Sequence, residues 1–495
     1  MPSPNVLFLM TDQMQARVLE PGHRCQTPNL DRLAARGVRF THAYTPNAVC
    51  SPARASLMTG LLPHNHGVLM VTHAVDDDQL LLRADKLHWA QRLVQAGYYR
   101  TGYFGKWHIE QHQPLSVFGW QTSAETAHGA FVSQAYRAKA RRVWGGAPPE
   151  HHYALAQYYS DRCGYDRTLF YGVTDVPPEQ RSMGIITSLA LDYLDQVLAH
   201  EGPWCCFVSV PEPHDPFVAG EEAFARYDIG ALPLPPSLRD ELQGRPAIYR
   251  KAARVWQEMT DRQHQEAVAC YYASITEIDA QFGRLINRVE QAGQLDDTMV
   301  VFTSDHGESL GAHGLYCKNF SASEEIYNVP LVLSGPGIAQ GAVTDARVGS
   351  HDLCPTLLEL LGEEPSNVPD SRSFATLLPA PTRSPQGFST GFAEYYGNRM
   401  IITQRVVWDG PWKLVFDGFG FDELYNLERD PWEMDNLAQD PAHEGQLRAT
   451  LAQMWATVRD TGDRSLYNSH YPILRVAPFG PRIAAESTGR GGRTG

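Results

Sequence analysis

Residues 5–10 read Asn-Val-Leu-Phe-Leu-Met and lead directly into Thr11, Asp12 and Gln13. A nearly continuous apolar run of this length is the pattern of a strand buried on both faces, as in a parallel sheet. The pattern recurs along the chain. Thr27-Pro28 supplies an N-cap and a first-turn proline for a helix that Gly37 is expected to close. Lys86–Ala96 has helical spacing, and Thr101–Gly105 follows as a strand ending at Lys106. Met183–His200 reads as a helix, then Trp204–Val210 as a strand, with His214 just beyond it. Gln263–Ala292 reads as a long helix, then Thr298–Thr303 as a strand, with Asp305 just beyond. Strands alternating with helices predict an α/β fold with a mostly parallel central sheet flanked by helices. Such sheets bind ligands outside the carboxyl ends of their strands. Asp12, Lys106, His214 and Asp305 each follow a strand, so they are expected to meet at one edge.

The chain has 495 residues, 43% hydrophobic and 20% charged, which is enough for two or three domains with a large core. Its net charge of −14 argues against nucleic acid or an anionic membrane as partner. No apolar stretch is long enough to span a bilayer, and the N-terminus lacks the pattern of a signal peptide. The eight cysteines show no CxxC pair and no zinc spacing, so they read as reduced thiols of a cytoplasmic protein. A catalytic domain is expected over residues 1–370. Residues 365–385, rich in Pro, Ser and Arg, read as a linker. A smaller α+β domain is expected over 385–465, built from Gly387–Tyr395, Met400–Val407, Trp412–Phe416 and a helix near Pro441–Thr461. Residues 466–495 then read as a tail or oligomerisation arm. Leu466, Tyr467, Tyr471, Ile473, Leu474, Val476 and Phe479 give it more apolar side chains than a free tail carries, which predicts a homodimer or larger.

Cys50-Ser51-Pro52-Ala53-Arg54 is followed by Ala-Ser-Leu-Met-Thr-Gly60. The proline suits a first helical turn and Gly60 the end of the helix. Cys50 at a helix N-terminus beside an arginine reads either as a reactive thiolate or as a buried structural cysteine.

The Cys-x-Pro-x-Arg run with its Ala-Ser-Leu-Met-Thr-Gly extension resembles the signature of the formylglycine-dependent (type I) sulfatases of the alkaline phosphatase superfamily. The resemblance continues in order along the chain. Asn5–Gln13 is similar to the opening strand and first metal ligand. Thr27–Phe40 is similar to the following helix, Gly102–His108 (GYFGKWH) to the Gly-Lys-Trp-His element, Ser304–Lys318 (SDHGESLGAHGLYCK) to the second metal motif, and Glu423–Leu437 (ELYNLERDPWEMDNL) to the C-terminal element.

The resemblance implies a sulfatase that splits small sulfate esters into an alcohol or phenol and inorganic sulfate. It implies that Cys50 is converted to formylglycine by a formylglycine-generating enzyme. A metal site of Asp12, Cys50, Asp305 and His306 is implied. Its carboxylates favour Ca²⁺, and the imidazole leaves Mn²⁺ open. Lys106 and Lys318 are expected to hold sulfate oxygens and Arg54 the nucleophile and metal-side oxygens. His108 is expected to serve sulfate release, and His214, in Pro-Glu-Pro-His-Asp-Pro, to protonate the leaving oxygen. Gln13 is expected as a ligand or a neighbour of one, Asn65 near the substrate, and His313 as a supporting residue. Phosphonate monoester hydrolases and choline sulfatases share much of this pattern. Lys106-Trp107-His108 favours the sulfatase arrangement over the phosphonate one. The intact residue set speaks against a non-catalytic binding protein on the same fold.

Overall fold

The computed structural model describes residues 4–72, 81–83, 85–97, 100–126, 132–159, 166–318, 320–365, 368–398, 400–466 and 475–484. An eight-stranded sheet forms its centre. In spatial order its strands are Ala342–Gly349, Gly37–Tyr44, Leu331–Ser334, Thr298–Ser304, Asn5–Thr11, Trp204–Ser209, Arg100–Lys106 and Thr122–Thr126. All neighbours pair in parallel except Leu331–Ser334, which is antiparallel to both its neighbours.

The strand Asn5–Thr11 is buried at every position. Leu7 and Leu9 pack with the helices Ser182–Val197 and Asp261–Gln291 on one face. Val6, Phe8 and Met10 pack on the other, with Cys50–Thr59, Trp89–Gln95 and Leu353–Leu360. Helices on both faces explain why this strand is apolar without alternation. The helix Asp261–Gln291 opens with a reciprocal capping box between Thr260 and Gln263.

Gly37 has a different role from the one expected. The first helix, Pro28–Ala35, ends through Arg36, and Gly37 is already the first residue of the next strand. A Cβ there would lie 2.1 Å from the Leu333 carbonyl oxygen, so strand approach, not helix termination, requires glycine.

The C-terminal part forms an antiparallel sheet of Thr390–Tyr395, Gln404–Asp409, Trp412–Asp417 and Glu423–Asn426. Helix Glu444–Asp460 covers one face through Leu447, Leu451, Met454, Trp455 and Val458. The other face, with Val406, Trp408 and Val415, packs on Tyr44, Ile326 and Tyr327 of the catalytic part. The stretch read as a linker is anchored: Phe374 and Leu378 are fully buried in the core beneath the large sheet. Among the described tail residues, Leu466, Ala477, Phe479, Ile483 and Ala484 pack on this chain's own C-terminal core. Trp455 also donates to the Phe479 carbonyl at 2.8 Å. Val476 is exposed. Tyr467, Tyr471, Ile473 and Leu474, expected in the same arm, lie outside the described residues. No helix among the described residues is long and apolar enough to cross a membrane.

Candidate active site

The strands ending near Asp12, Lys106, His214 and Asp305 are consecutive parallel neighbours, so their carboxyl ends share one edge. At that edge lies the first turn of helix Cys50–Thr59, in which every residue is buried. The Cys50 sulfur is 3.2 Å from His306 Nε2, 3.7 Å from Asp12 Oδ1 and 3.7 Å from Lys106 Nζ. One donor atom from each of Asp12, Cys50, Asp305 and His306 lies within 4.8 Å of the others.

The orientation of each group has a visible cause. Arg54, one turn into the helix from Cys50, gives Nε to Asp305 at 2.8 Å and Nη2 to Asp12 at 3.1 Å. Its Nη1 donates to the Lys106 carbonyl and to Ser209 Oγ. Arg54 therefore clamps the two carboxylates and ties them to two strand ends, and its contacts go to the protein side of the cluster. Asp12 Oδ2 also accepts from Lys106 Nζ at 2.5 Å. Burial and the Cys50 charge push the Asp12 pKa up, but Lys106, His214 and Arg54 outweigh them and hold it far below the usual carboxylate range. Asp305 goes the other way: burial and the nearby Asp12 charge raise it. Asp305 Oδ1 accepts from the Gln13 and His306 amides.

His306 Nδ1 is 2.9 Å from the Gly307 carbonyl. A carbonyl can only accept, so Nδ1 carries a proton, and Nε2 faces Asp12 at 3.4 Å and Cys50 at 3.2 Å. Burial would raise the Cys50 thiol pKa, yet Lys106, Lys318, His306 and a hydrogen bond with His108 bring it well below its ordinary value. The site therefore favours negative charge at position 50. Gly105, with φ +106°, precedes Lys106, and a Cβ there would meet the Ser209 carbonyl oxygen at 1.9 Å. Only glycine lets these strand ends close up beneath the lysine.

Gln13 sits in the left-handed region at φ 71°. Its amide oxygen accepts from Lys318 Nζ at 2.7 Å, and its amide nitrogen donates to Asp215 at 3.0 Å and Glu308 at 2.6 Å. Lys318 Nζ also contacts His214 Nε2, while His214 Nδ1 donates to the Asp215 carbonyl at 2.8 Å. Asp215 is held down to about 2: burial opposes this, and His214 and Lys318 drive it. Burial lifts Glu308 to about 7. Asp215, Glu308 and Ser209 were not read from sequence. Asp215 adjoins His214 and Glu308 lies within the Ser304–Lys318 run, but neither position carries a signal by itself.

Two expected residues lie elsewhere. The Asn65 amide nitrogen goes to both Asp370 oxygens and the Thr461 carbonyl. Its neighbour His64 pairs with Glu394 at 2.6 Å. This turn bolts the catalytic part to the C-terminal part, and its side chains are spent there, not on a substrate. His313 is buried against Asp240 and Arg245, as a supporting residue would be.

The family described as Sulfatase matches residues 4–363, and that described as N-sulphoglucosamine sulphohydrolase, C-terminal, matches 311–461. The choline-sulfatase of Rhizobium meliloti (strain 1021) is 29% identical, over 88% of this chain and 83% of its own. The uncharacterized sulfatase YidJ of Escherichia coli (strain K12) is also 29% identical, over 89% of this chain and 84% of its own. Among solved structures, the phosphonate monoester hydrolase SpPMH from Silicibacter pomeroyi superposes with a TM-score of 0.76 at 25% identity, over 94% of this chain and 96% of that one. With its model matched across most of the length and its strand-end cluster in place, the chain belongs to the sulfatase family, the sulfuric ester hydrolases of the alkaline phosphatase superfamily.

Proposed function

We propose that this protein hydrolyses sulfate esters with Cys50 converted to formylglycine and a divalent cation held by Asp12, Asp305, His306 and residue 50. The observation that carries the reading is the set of groups around the Cys50 sulfur. Two carboxylates and the His306 imidazole Nε2 gather with it, and Lys106 approaches to 3.7 Å. Three hard or borderline donors beside a fourth at position 50 fit a divalent cation. The carboxylates favour Ca²⁺, and the imidazole admits Mn²⁺. When bound, the cation polarises the oxygens it touches. Hydrated formylglycine supplies one hydroxyl to attack sulfur and a second whose deprotonation restores the aldehyde and releases sulfate.

The chain's own residues do the rest. Arg54 fixes the two carboxylates. Lys106 and Lys318 place positive charge where sulfate oxygens sit. His108 takes the proton that accompanies sulfate release, and His214 protonates the departing alcohol. The structural likeness to a phosphonate monoester hydrolase supports a second activity on phosphonate esters, since both reacting centres are tetrahedral oxyanions.

The test is intact mass and turnover on one preparation. Conversion of Cys50 to formylglycine lowers the mass by about 18 Da, the difference between the two side chains. An active sample containing only unmodified Cys50 would overturn the proposal. Rates on aryl, alkyl, choline, carbohydrate and amino-linked sulfates, beside a phosphonate ester, rank the substrate classes.

The same reading divides the chain into a catalytic domain over 1–370, a smaller domain over 385–465 and an arm over 466–495. The separate sheets support that division. The buried free thiols Cys25, Cys205, Cys206, Cys270, Cys317 and Cys354 suit a reducing cytoplasm. A homodimer or larger assembly through the arm is part of the proposal. Light scattering of full-length protein at micromolar concentration is expected to give at least twice the chain mass, and a chain ending at Thr461 is expected to give less. A full-length monomer removes the assembly.

A further inference from the structure

A second buried group of possible ligands lies outside the active-site cluster. His313, Glu325 and Glu433 each offer one ligand atom, and these atoms lie within 4.8 Å of one another. The three residues are only 1%, 5% and 2% exposed. They come from three segments. His313 lies in the loop between strand Thr298–Ser304 and Lys318, Glu325 lies in the short helix Glu324–Tyr327, and Glu433 follows the last strand of the C-terminal sheet.

A structural hydrogen-bond network would leave the polar atoms of these side chains paired, and two of them are buried without a partner. His313 Nδ1 is engaged by Asp240 at 2.7 Å, with Arg245 Nη1 at 3.2 Å from it, while His313 Nε2 is buried with no partner. The contact with the Asp240 carboxylate is the shorter of the two, and the tautomer that serves it, with the proton on Nδ1, leaves a lone pair on Nε2. Glu325 Oε1 pairs with Arg17 at 3.1 Å, and Glu325 Oε2 is likewise buried with no partner. A buried lone pair and a buried carboxylate oxygen left unpaired each destabilise the fold. Glu433 is held in place by Lys413 at 2.7 Å on one oxygen and by the Glu324 amide at 2.8 Å on the other. The surrounding charges are Glu324, Glu325, Glu433 and Asp240 against Arg17, Lys413 and Arg245. That excess of one negative charge suits an added cation. The order carboxylate, histidine Nδ1–H, histidine Nε2 lone pair is also how proteins orient a metal-ligating imidazole.

We propose that His313, Glu325 and Glu433 hold a divalent cation of the zinc class, with Asp240 orienting the imidazole. One nitrogen and two carboxylate oxygens suit Zn²⁺ better than Ca²⁺. Small side-chain movements bring the three atoms onto one ion. Such an ion would join the C-terminal part to the loop that carries Lys318, and so would position the active-site wall without touching substrate. This proposal stands apart from the formylglycine reading.

The test is metal stoichiometry on folded, full-length protein. Protein stripped by chelator dialysis is titrated with Zn²⁺ in a calorimeter and with Co²⁺ by visible absorption. His313→Gln and Glu325→Gln are each expected to take up one equivalent fewer than the unmodified protein, and His313→Gln to lose a set of Co²⁺ bands. Asp305→Ala is expected to lose a different equivalent and keep those bands, which separates failure here from failure of the active-site reading. Glu325→Gln keeps the shape of the side chain, so it serves if His313→Gln does not fold. Uptake by either folded variant equal to that of the unmodified protein overturns the site. So does a single equivalent in the unmodified protein that Asp305→Ala abolishes, in which case water fills the space.

Discussion

Asp305→Ala is expected to lose the active-site cation and to lower turnover of a nitrophenyl sulfate by at least about 10³-fold, equivalent to several kcal/mol of lost charge stabilisation. The carboxylate does three jobs in the structure. It offers an oxygen to the cluster, it accepts from the Gln13 and His306 amides, and it neutralises Arg54 Nε at 2.8 Å. Arg54 is 1% exposed, so removing one of its two carboxylates leaves a buried charge half paired. Breaking a buried pair in this way costs about 3–5 kcal/mol of stability. Asp305→Asn separates the two effects, because it keeps an acceptor for the amides while removing the charge. Metal content and turnover are measured on the folded fraction of both variants. A folded Asp305→Ala protein with full metal occupancy and near-normal rate would show that the site is wrongly assigned.

The second large effect concerns the leaving group. Alkyl sulfates expel a strongly basic alkoxide, whereas nitrophenyl sulfate expels a stable anion. If His214 gives the proton, His214→Ala should lose about 10²–10⁴-fold on alkyl esters and far less on the nitrophenyl ester. The structure adds a source for that proton. His214 Nδ1 is fixed on the Asp215 carbonyl, and Nε2 lies against Lys318 Nζ. His108→Ala should slow both substrates alike, because its assigned step follows departure of the alcohol. The decisive quantity is each variant's loss on the alkyl ester divided by its loss on the aryl ester. A ratio near one for His214→Ala, with substrate binding intact, would pass the proton to Lys318.

What could be read in advance depended on how local the cause was. The strand Asn5–Thr11 and the helix–strand pairs at 182–209 and 261–304 were legible because burial on both faces writes an unbroken apolar run. The strand Leu331–Ser334 was not read: four residues close to Pro330 and Gly335 give too short a signal. Composition misled at 365–385, where Pro, Ser and Arg suggested a loose connection. Phe374 and Leu378, with Leu377 packed beside them, pin that segment into the core, and so short an apolar cluster does not make a period. The candidate site was legible as far as its motifs extended. The clamp by Arg54 on two distant carboxylates, and the sharing of Gln13 among Lys318, Asp215 and Glu308, are products of the fold. Asn65 shows the limit of reasoning by adjacency. It follows the signature helix closely, yet it faces Asp370 and Thr461 at the junction.

If Cys50 is converted as proposed, the complete burial of helix Cys50–Thr59 sets an order of events in the life of the chain. The Cys50 residue is 2% exposed, and Ser51 through Thr59 are buried with it. An enzyme acting on this cysteine would need the residues around it as an open segment. The finished fold presents no such segment, because the helix lies between the large sheet and Leu353–Leu360. Maturation and folding are thus rivals for the same ten residues. A chain that folds first is sealed with its thiol inside, correctly shaped and without its nucleophile. On that reading, the active fraction of a preparation would record which process was faster during synthesis.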